Sequence, residues 1–371
     1  MAFRKVYISQ ENFEVMVPKN KILKILDEYD KKKLTVATLC SHSSLQIFNG
    51  AKKEGFRTLG LTVKDNFRYY DAFPLGRPDE FMKLDSYADL LDNVDELLAR
   101  NIIVVPHGSF VEYMGTEKFE KMPVPTFGNR NVLRWESHRD KMREWLETAG
   151  IVMPRVIDDP KTIDRPVLVK YNGAKGGRGF FIAKDYNEFK MGLDLDQDYT
   201  IQEYILGTRY YLHYFFSPIK KDGFRVGDGS LELMSMDRRD ESNIDELYKL
   251  GASEELKKLG LFPSFVVTGN VPVVIRESLL PKVFDMGEQV VKRSYELFGG
   301  MIGPFCLEGI VTDKLEFKVF EISSRIVAGS NPFISGSPYS DLTEENMSTG
   351  RRISREIKNA VLTDSMDQVI S

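Results

Sequence analysis

Cysteine is scarce in this 371-residue sequence: Cys40 and Cys306 are the only two. They stand in no metal-ligand or redox spacing, which excludes a zinc module or a disulfide-stapled fold and suits a reducing interior. Both are expected to pack as small buried apolar residues. Excess charge is missing too, with 51 basic against 55 acidic residues and a formal net charge of -4. That balance argues against nucleic acid or a membrane surface as partner, so any nucleotide must be held by local groups. No run of about eighteen apolar residues occurs, and the N-terminus has no apolar core of signal-peptide length. A soluble, cytoplasmic protein is therefore expected. Internal repeats and low-complexity tracts are also lacking.

The length suffices for two or three domains. Asn20 to Asp30 spaces its apolar residues as a helix does. Leu34–Leu39, the helix-like SHSSLQIFNGAKKEGF and the apolar run RTLGLTV make one βαβ unit. IIVVP (Ile102 to Pro106) and VPTFG (Val124 to Gly128), separated by the helical SFVEYMG, extend it to a small parallel sheet. A long helix is expected from Arg134 to Ala149, stopped by Gly150. From Pro166 the pattern changes to PVLVKYN, GFFIAK, YTIQEYIL and YYLHYFFSP, strands joined by short turns in a largely antiparallel α+β unit. The aromatic YYLHYFF serves either a core or an interface. LELMSM, FVVTGNVPVVI, GPFCLEGIV and EFKVFEIS are further strands, with helices at Lys282 to Phe298 and Gly350 to Val361 and a surface connection at GASEELKKLG.

Two strand ends carry similar chemistry, TLCSHSSLQ around His42 and VVPHGSFVEY around His107 and Ser109. Ligands of open parallel sheets bind beyond the carboxyl ends of the strands, where helix N-termini favour anions. Ser41, His42, Ser43 and Ser44 would flank one side of a phosphate-sized site, with Gly108 and Ser109 on the other. The competing reading is that these serines only cap helices.

VKYNGAKGGRGFFI, Val169 to Ile182, lacks the G-x-x-x-x-G-K-[ST] order of the P-loop, and strands rather than a helix flank its glycines. It reads as a hairpin loop, either solvated or closing over an anion with Lys170, Lys175 and Arg178 as countercharge. In GPFCLEGIVTDKLEFKVFEISSR, a four-residue loop Asp313 to Glu316 pairs Thr312 with Phe317 and sets Glu308 opposite Glu321. Opposed carboxylates destabilise a sheet unless a cation lies between them, and Mg²⁺ suits one or two carboxylates completed by water and phosphate. A different loop length would separate the pair and leave a solvent-facing acidic surface.

A lysine before a glycine hairpin, the strand QEYIL and two glutamates on adjacent strands resemble the ATP-grasp superfamily. ATLCSHSSLQI, VVPHGSF, FGNRNVLRWES, GAKGGRGFF, DRRDESNID, TGNVPVVIRESLL, GPFCLEG and FEISSR narrow the resemblance to the archaeal formate-dependent 5-formaminoimidazole-4-carboxamide ribonucleotide (FAICAR) synthetases. It spans about Leu34 to the C-terminus. It implies an α/β and α+β ATP-grasp fold: an extension over 1–20, a Rossmann-like substrate domain over 21–150, a glycine-hairpin lid over 151–216 and a metal-binding α+β domain over 217–371. It further implies an ATP-dependent carbon–nitrogen ligase of purine (IMP) biosynthesis that converts aminoimidazole carboxamide ribonucleotide (AICAR) and formate to FAICAR through formyl phosphate. Trimers or hexamers are usual in such a family.

Carried onto this chain, the resemblance puts AICAR on His42, Ser109 and Asn270. It puts ATP among Lys170, Gly173, Lys175, Gly176, Gly177, Gly179, Glu203, Tyr204, Ile205 and Glu241, and Mg²⁺ or Mn²⁺ on Glu308 and Glu321. Lys170 is then catalytic, and Arg325 holds formate or the acyl phosphate unless it forms a structural ion pair. Two departures stand out: Ser323 replaces the asparagine of the superfamily's E-x-N-x-R segment, and Asp240 stands where the family has an aromatic residue. The alternatives are an ATP-grasp ligase for another small carboxylate and amine, or a non-catalytic purine nucleotide-binding relative.

Overall fold

A computed structural model describes residues 16–171, 180–194, 197–241, 258 and 266–371. Its first sheet holds β1 (Thr35–Leu39), β2 (Arg57–Val63), β3 (Glu80–Leu84) and β4 (Ile102–Val104), all parallel in the order β3-β2-β1-β4. Every residue of β1 is buried, which is why TVATL shows no alternation: a central parallel strand is covered on both faces. β3, at the edge, is short and half polar, so EFMKL carries no clear strand signal.

Two expectations fail here. The segment Val124 to Gly128 is not a strand; it makes only isolated bridges, Val104 to Thr126 and Phe127 to Ile370. Pro123 and Pro125 have no N–H to give a ladder. The long helix is two, Val132–Ser137 and Arg139–Thr148, parted at His138 with extended backbone (φ -97°, ψ 111°). Near the break the Ser137 hydroxyl donates to the Arg134 carbonyl at 3.3 Å, a side-chain bond that competes with the helix ladder.

The second sheet is antiparallel and small: β5 (Val167–Tyr171), β6 (Phe180–Ala183) and β7 (Tyr199–Glu203), in the order β6-β5-β7. Lys170 pairs with Phe180, so the flanks of the glycine run form a hairpin. Ile157, Ile163, Val167, Val169, Ala183, Phe189 and Ile201 give this unit a core of its own.

The third sheet has six strands, β8 (Thr208–Ser217), β9 (Phe224–Val226), β10 (Gly229–Glu241), β11 (Val267–Pro272), β12 (Gly303–Val311) and β13 (Phe317–Ser323). Their order is β11-β10-β8-β12-β13, with β9 on β10. β8, assigned by sequence to the lid unit, hydrogen-bonds instead to β10 and β12 at the centre of this sheet. Tyr211 to Ser217 are buried throughout, so the aromatic run is core. The helix Leu280–Phe298 covers one face, and Gly287 lets it approach: a Cβ there would stand 2.8 Å from Leu231 Cδ2 and 2.9 Å from Tyr214 Cε1.

One hydrophobic cluster runs from Leu39 and Leu61 of the first sheet through Trp145 to Leu212, Phe305 and Ile322 of the third. Trp145 is fully buried and its indole N–H donates to the Val290 carbonyl at 3.1 Å. Burying such a ring contributes roughly 2–3 kcal/mol. The two sheets therefore share one core, whereas the small hairpin sheet does not. Both cysteines are buried and free, as expected. No helix among the described residues is long and apolar enough to cross a membrane.

Candidate active site

Beyond β1 the chain turns at His42, whose φ of 47° is left-handed, a conformation that costs a non-glycine residue about 1 kcal/mol. A distant segment secures it. Asn331 Nδ2 donates to the His42 carbonyl at 3.1 Å, while Gln46 Nε2 donates to Asn331 Oδ1 at 3.4 Å and to Ser330 Oγ at 3.1 Å. Ser43 precedes the helix Ser44–Lys53 but makes no capping bond, and its buried hydroxyl has no partner among the described residues.

At the end of β4, His107 is fully buried. The Ser109 N–H donates to its Nδ1 at 3.2 Å, so Nδ1 carries no proton and Nε2–H donates to the Leu39 carbonyl at 2.9 Å. Burial foremost, then the charges of His42 and Arg325, push its pKa down to about 3. His42 stacks on this neutral ring with centroids 5.9 Å apart, and packing, Arg325 and Arg239 lower its own pKa. Ser109 Oγ donates to Ser41 Oγ at 2.9 Å. The two strand ends form one polar surface, and neither Ser43 nor Ser109 caps a helix with its side chain.

Gly108 extends that surface to the third sheet. A Cβ on it would stand 3.0 Å from His42 Nε2 and 3.3 Å from Arg325 Cζ, so the missing side chain lets imidazole and guanidinium meet over one backbone. Arg325 Nη2 pairs with Glu136 Oε1 at 2.8 Å, and its buried Nε has no partner among the described residues. Glu136 Oε2 accepts from both Ser324 N and Ser324 Oγ at 2.8 Å.

Glu308 does lie opposite Glu321, by a different route from the one expected. Phe317 pairs with Val311, not Thr312, so the loop is one residue longer; a bulge between Glu308 and Gly309 then shifts the register back by one. Ser323 Oγ donates to Glu308 Oε1 at 3.1 Å, and Arg239 Nη2 lies 3.4 Å from the same oxygen with its guanidinium 3.7 Å above the Tyr211 ring. Glu321 keeps access to water although protein groups crowd around it. Loss of hydration, then repulsion from Glu308 and Glu136, raises its pKa. Opposed carboxylates that resist joint ionisation are a donor set a divalent cation would relieve. No third His, Cys, Asp or Glu joins them among the described residues.

Lys170 on β5 is half-buried. Desolvation and then Arg139 lower its pKa, while Glu321 raises it, so lysine and carboxylate feel each other. Glu203 closes β7, its N–H donating to the Arg155 carbonyl at 2.8 Å, and the Tyr204 N–H donates to the Pro166 carbonyl at 3.1 Å. Tyr204 is exposed and Ile205 half-buried at this junction between the second and third sheets. Glu241, at the end of β10, is ion-paired with Arg209. Asp240 pairs across the ladder with Gly269, and Asn270 Nδ2 donates to the Ala328 carbonyl at 3.4 Å. Gly173, Lys175, Gly176, Gly177 and Gly179 lie outside the described residues.

Sequence patterns do not single out Arg239, Glu136 or Asn331. Arg239 carries a usable signal, since Asp237, Arg239 and Glu241 alternate along β10 and so share a face. Glu136 and Asn331 reach the site across 188 and 289 residues of chain, and no local pattern marks them.

A parallel sheet, a hairpin sheet and a larger sheet bearing two carboxylates, in that order, define an ATP-grasp protein. The N5-carboxyaminoimidazole ribonucleotide synthetase of Thermotoga maritima is similar in fold at 14% identity, with TM-score 0.54 over 88% of this chain and 76% of that one. Residues 36–157 match a protein family of unknown function (DUF1246) and residues 191–371 a domain of unknown function (DUF1297). The 5-formaminoimidazole-4-carboxamide-1-(beta)-D-ribofuranosyl 5'-monophosphate synthetase of Methanosarcina acetivorans is 61% identical over 96% of this chain and 100% of its own length. Its namesake from Methanocaldococcus jannaschii is 45% identical over the same shares. The crystal structure of an IMP biosynthesis protein PurP from Thermococcus kodakaraensis, 32% identical, covers 91% of this chain and 100% of its own with TM-score 0.70. The chain belongs to the 5-formaminoimidazole-4-carboxamide ribonucleotide synthetase family.

Proposed function

We propose that this chain is an ATP-dependent ligase that joins formate to the 5-amino group of AICAR, giving FAICAR, ADP and phosphate in IMP biosynthesis. The observation that supports this reading is the approach of His42 and Arg325 to Gly108 from two sides, with the Arg325 charge felt by both His42 and Glu321. A formate oxygen takes the γ-phosphoryl group of ATP to give formyl phosphate, and the amine of AICAR then displaces phosphate. Positioning and charge stabilisation are the protein's share.

His42, Ser109 and Asn270 bind AICAR, with the unpartnered Ser43 hydroxyl and the N-terminus of the helix Ser44–Lys53 suited to its phosphate. Lys170, Glu203, Tyr204, Ile205 and Glu241 hold ATP together with the loop residues Gly173, Lys175, Gly176, Gly177 and Gly179. Lys170 offsets charge on the triphosphate. The ion pair of Glu241 with Arg209 leaves its carboxylate to orient that arginine as well as the nucleotide. Glu308 and Glu321 fit Mg²⁺, which would neutralise phosphate charge during transfer. Ser323, bonded to Glu308, orients a ligand rather than replacing one.

Arg325 holds formate and the acyl phosphate. Its ion pair with Glu136 is made through Nη2, and its buried Nε–H, which has no partner among the described residues, is a costly group that an anion would satisfy. The chain divides into units over 21–150, 151–207 and 208–371, because β8 belongs with the last unit and the limit expected at 216 moves to 207. Incubation with ATP, Mg²⁺, formate and AICAR, followed by chromatography for FAICAR and ADP, tests the assignment. Folded protein that yields ADP with acetate or bicarbonate but not with formate would instead favour a different acid.

A further inference from the structure

We propose that Glu136 is a positioning residue for formyl transfer: its carboxylate fixes the Arg325 guanidinium between the AICAR pocket and the Glu308–Glu321 pair. This rests on the reading of Arg325 given above. Glu136 sits in the last turn of the helix Val132–Ser137, where a negative charge is disfavoured by the helix dipole. Local structure therefore gives no reason for an acid there. The reason is tertiary.

Both carboxylate oxygens are engaged, one by Arg325 Nη2 and the other by the Ser324 amide and hydroxyl, each at 2.8 Å. One side chain from the first unit thus fixes the main chain where β13 ends and the side chain that follows it. The pair is nearly buried, with side-chain exposures of 16% for Arg325 and 10% for Glu136. A guanidinium on a flexible stem gains direction from such a clamp, and Glu136 leaves its Nε without a partner among the described residues. Gly108 closes the other side of the same guanidinium. An ion pair serving stability alone has no need to leave a buried N–H unsatisfied beside a polar pocket.

The experiment is steady-state kinetics of Glu136→Gln, Arg325→Lys, the double variant and Ser324→Ala, with ATP, Mg²⁺, AICAR and varied formate, and melting curves to confirm folding. In Glu136→Gln the new amide keeps an oxygen for the Ser324 amide but turns donors toward Arg325. Its formate KM is expected to rise about 10- to 100-fold, while the KM values for ATP and AICAR stay within about twofold. The double variant should be no worse than Arg325→Lys, because the clamp acts only through that guanidinium. Ser324→Ala, which spares the ion pair, should raise the formate KM less.

An unchanged formate KM in Glu136→Gln beside an impaired Arg325→Lys would overturn the clamp and leave the Arg325 reading intact. Multiplicative losses in the double variant would do the same. Unchanged formate kinetics in Arg325→Lys would remove Arg325 from the mechanism, and the proposal with it. Should Glu136→Gln fail to fold, Glu136→Asp, which withdraws the carboxylate from Arg325 by one methylene, takes its place, and an unaltered formate KM there decides against the clamp.

Discussion

His107→Gln, compared with the parent chain at two pH values, tests whether the scaffold under the proposed AICAR pocket is a neutral imidazole. In the fold the ring donates through Nε2 and accepts at Nδ1, so a proton on Nδ1 would face the Ser109 N–H and break the arrangement. Its pKa falls from the ordinary 6.5 to about 3. Between those values the unfolded chain binds the proton and the folded one does not, so stability falls as pH falls through this window.

At about pH 5 the unfolded ring is almost fully charged and the folded ring still neutral, which removes about 2 kcal/mol relative to about pH 7.5. Because pH 5 lies well above the folded value, that figure depends mainly on the unfolded one. Glutamine does not titrate here. Loss of one buried hydrogen bond should make the variant about 1–3 kcal/mol less stable near pH 7.5, and the gap should close by about 2 kcal/mol near pH 5. Urea denaturation at both pH values reads this directly. A stability difference that stays constant, or widens in acid, would refute the neutral tautomer and the account of how His42 is stacked.

Further outcomes follow from other contacts. Glu321→Gln should reduce ADP formation by about 10²- to 10³-fold with AICAR affinity, measured by calorimetry, nearly unchanged; loss of both would point to a folding role. Asn331→Ala frees the left-handed turn at His42, so the AICAR KM should rise about 5- to 30-fold without a matching change for ATP. Gly50→Ala should cost about 2–4 kcal/mol in thermal or urea denaturation, because the added Cβ would stand 2.2 Å from the Arg351 backbone nitrogen across a helix contact.

Local chemistry made much of the site legible in the sequence. The strand ends at His42 and Ser109, the hairpin flanks of the glycine run and the two glutamates follow from short-range patterns that any sheet must obey. The Glu308–Glu321 pairing shows how narrow that legibility is. Counting from a four-residue loop reached the right partners only because a longer loop and a bulge offset each other, and bulges leave no periodic trace.

Elsewhere the tertiary structure overruled local signals. Prolines at 123 and 125 denied a ladder to an apolar run, and the helix expected from Arg134 broke at His138. β8 joined the third sheet because its aromatic residues bury best between β10 and β12, a matter of packing that its own alternation cannot express.

By itself, then, the sequence determined the order of the units, the family and the residue types at the strand ends, since these depend on neighbours within a few positions. Only the tertiary structure decided that Glu136 holds Arg325, that Asn331 holds His42 and that Gly108 brings imidazole and guanidinium together. Those contacts join residues far apart in the chain; burial where they meet keeps His107 neutral, and crowding by protein together with Glu308 and Glu136 raises the Glu321 pKa.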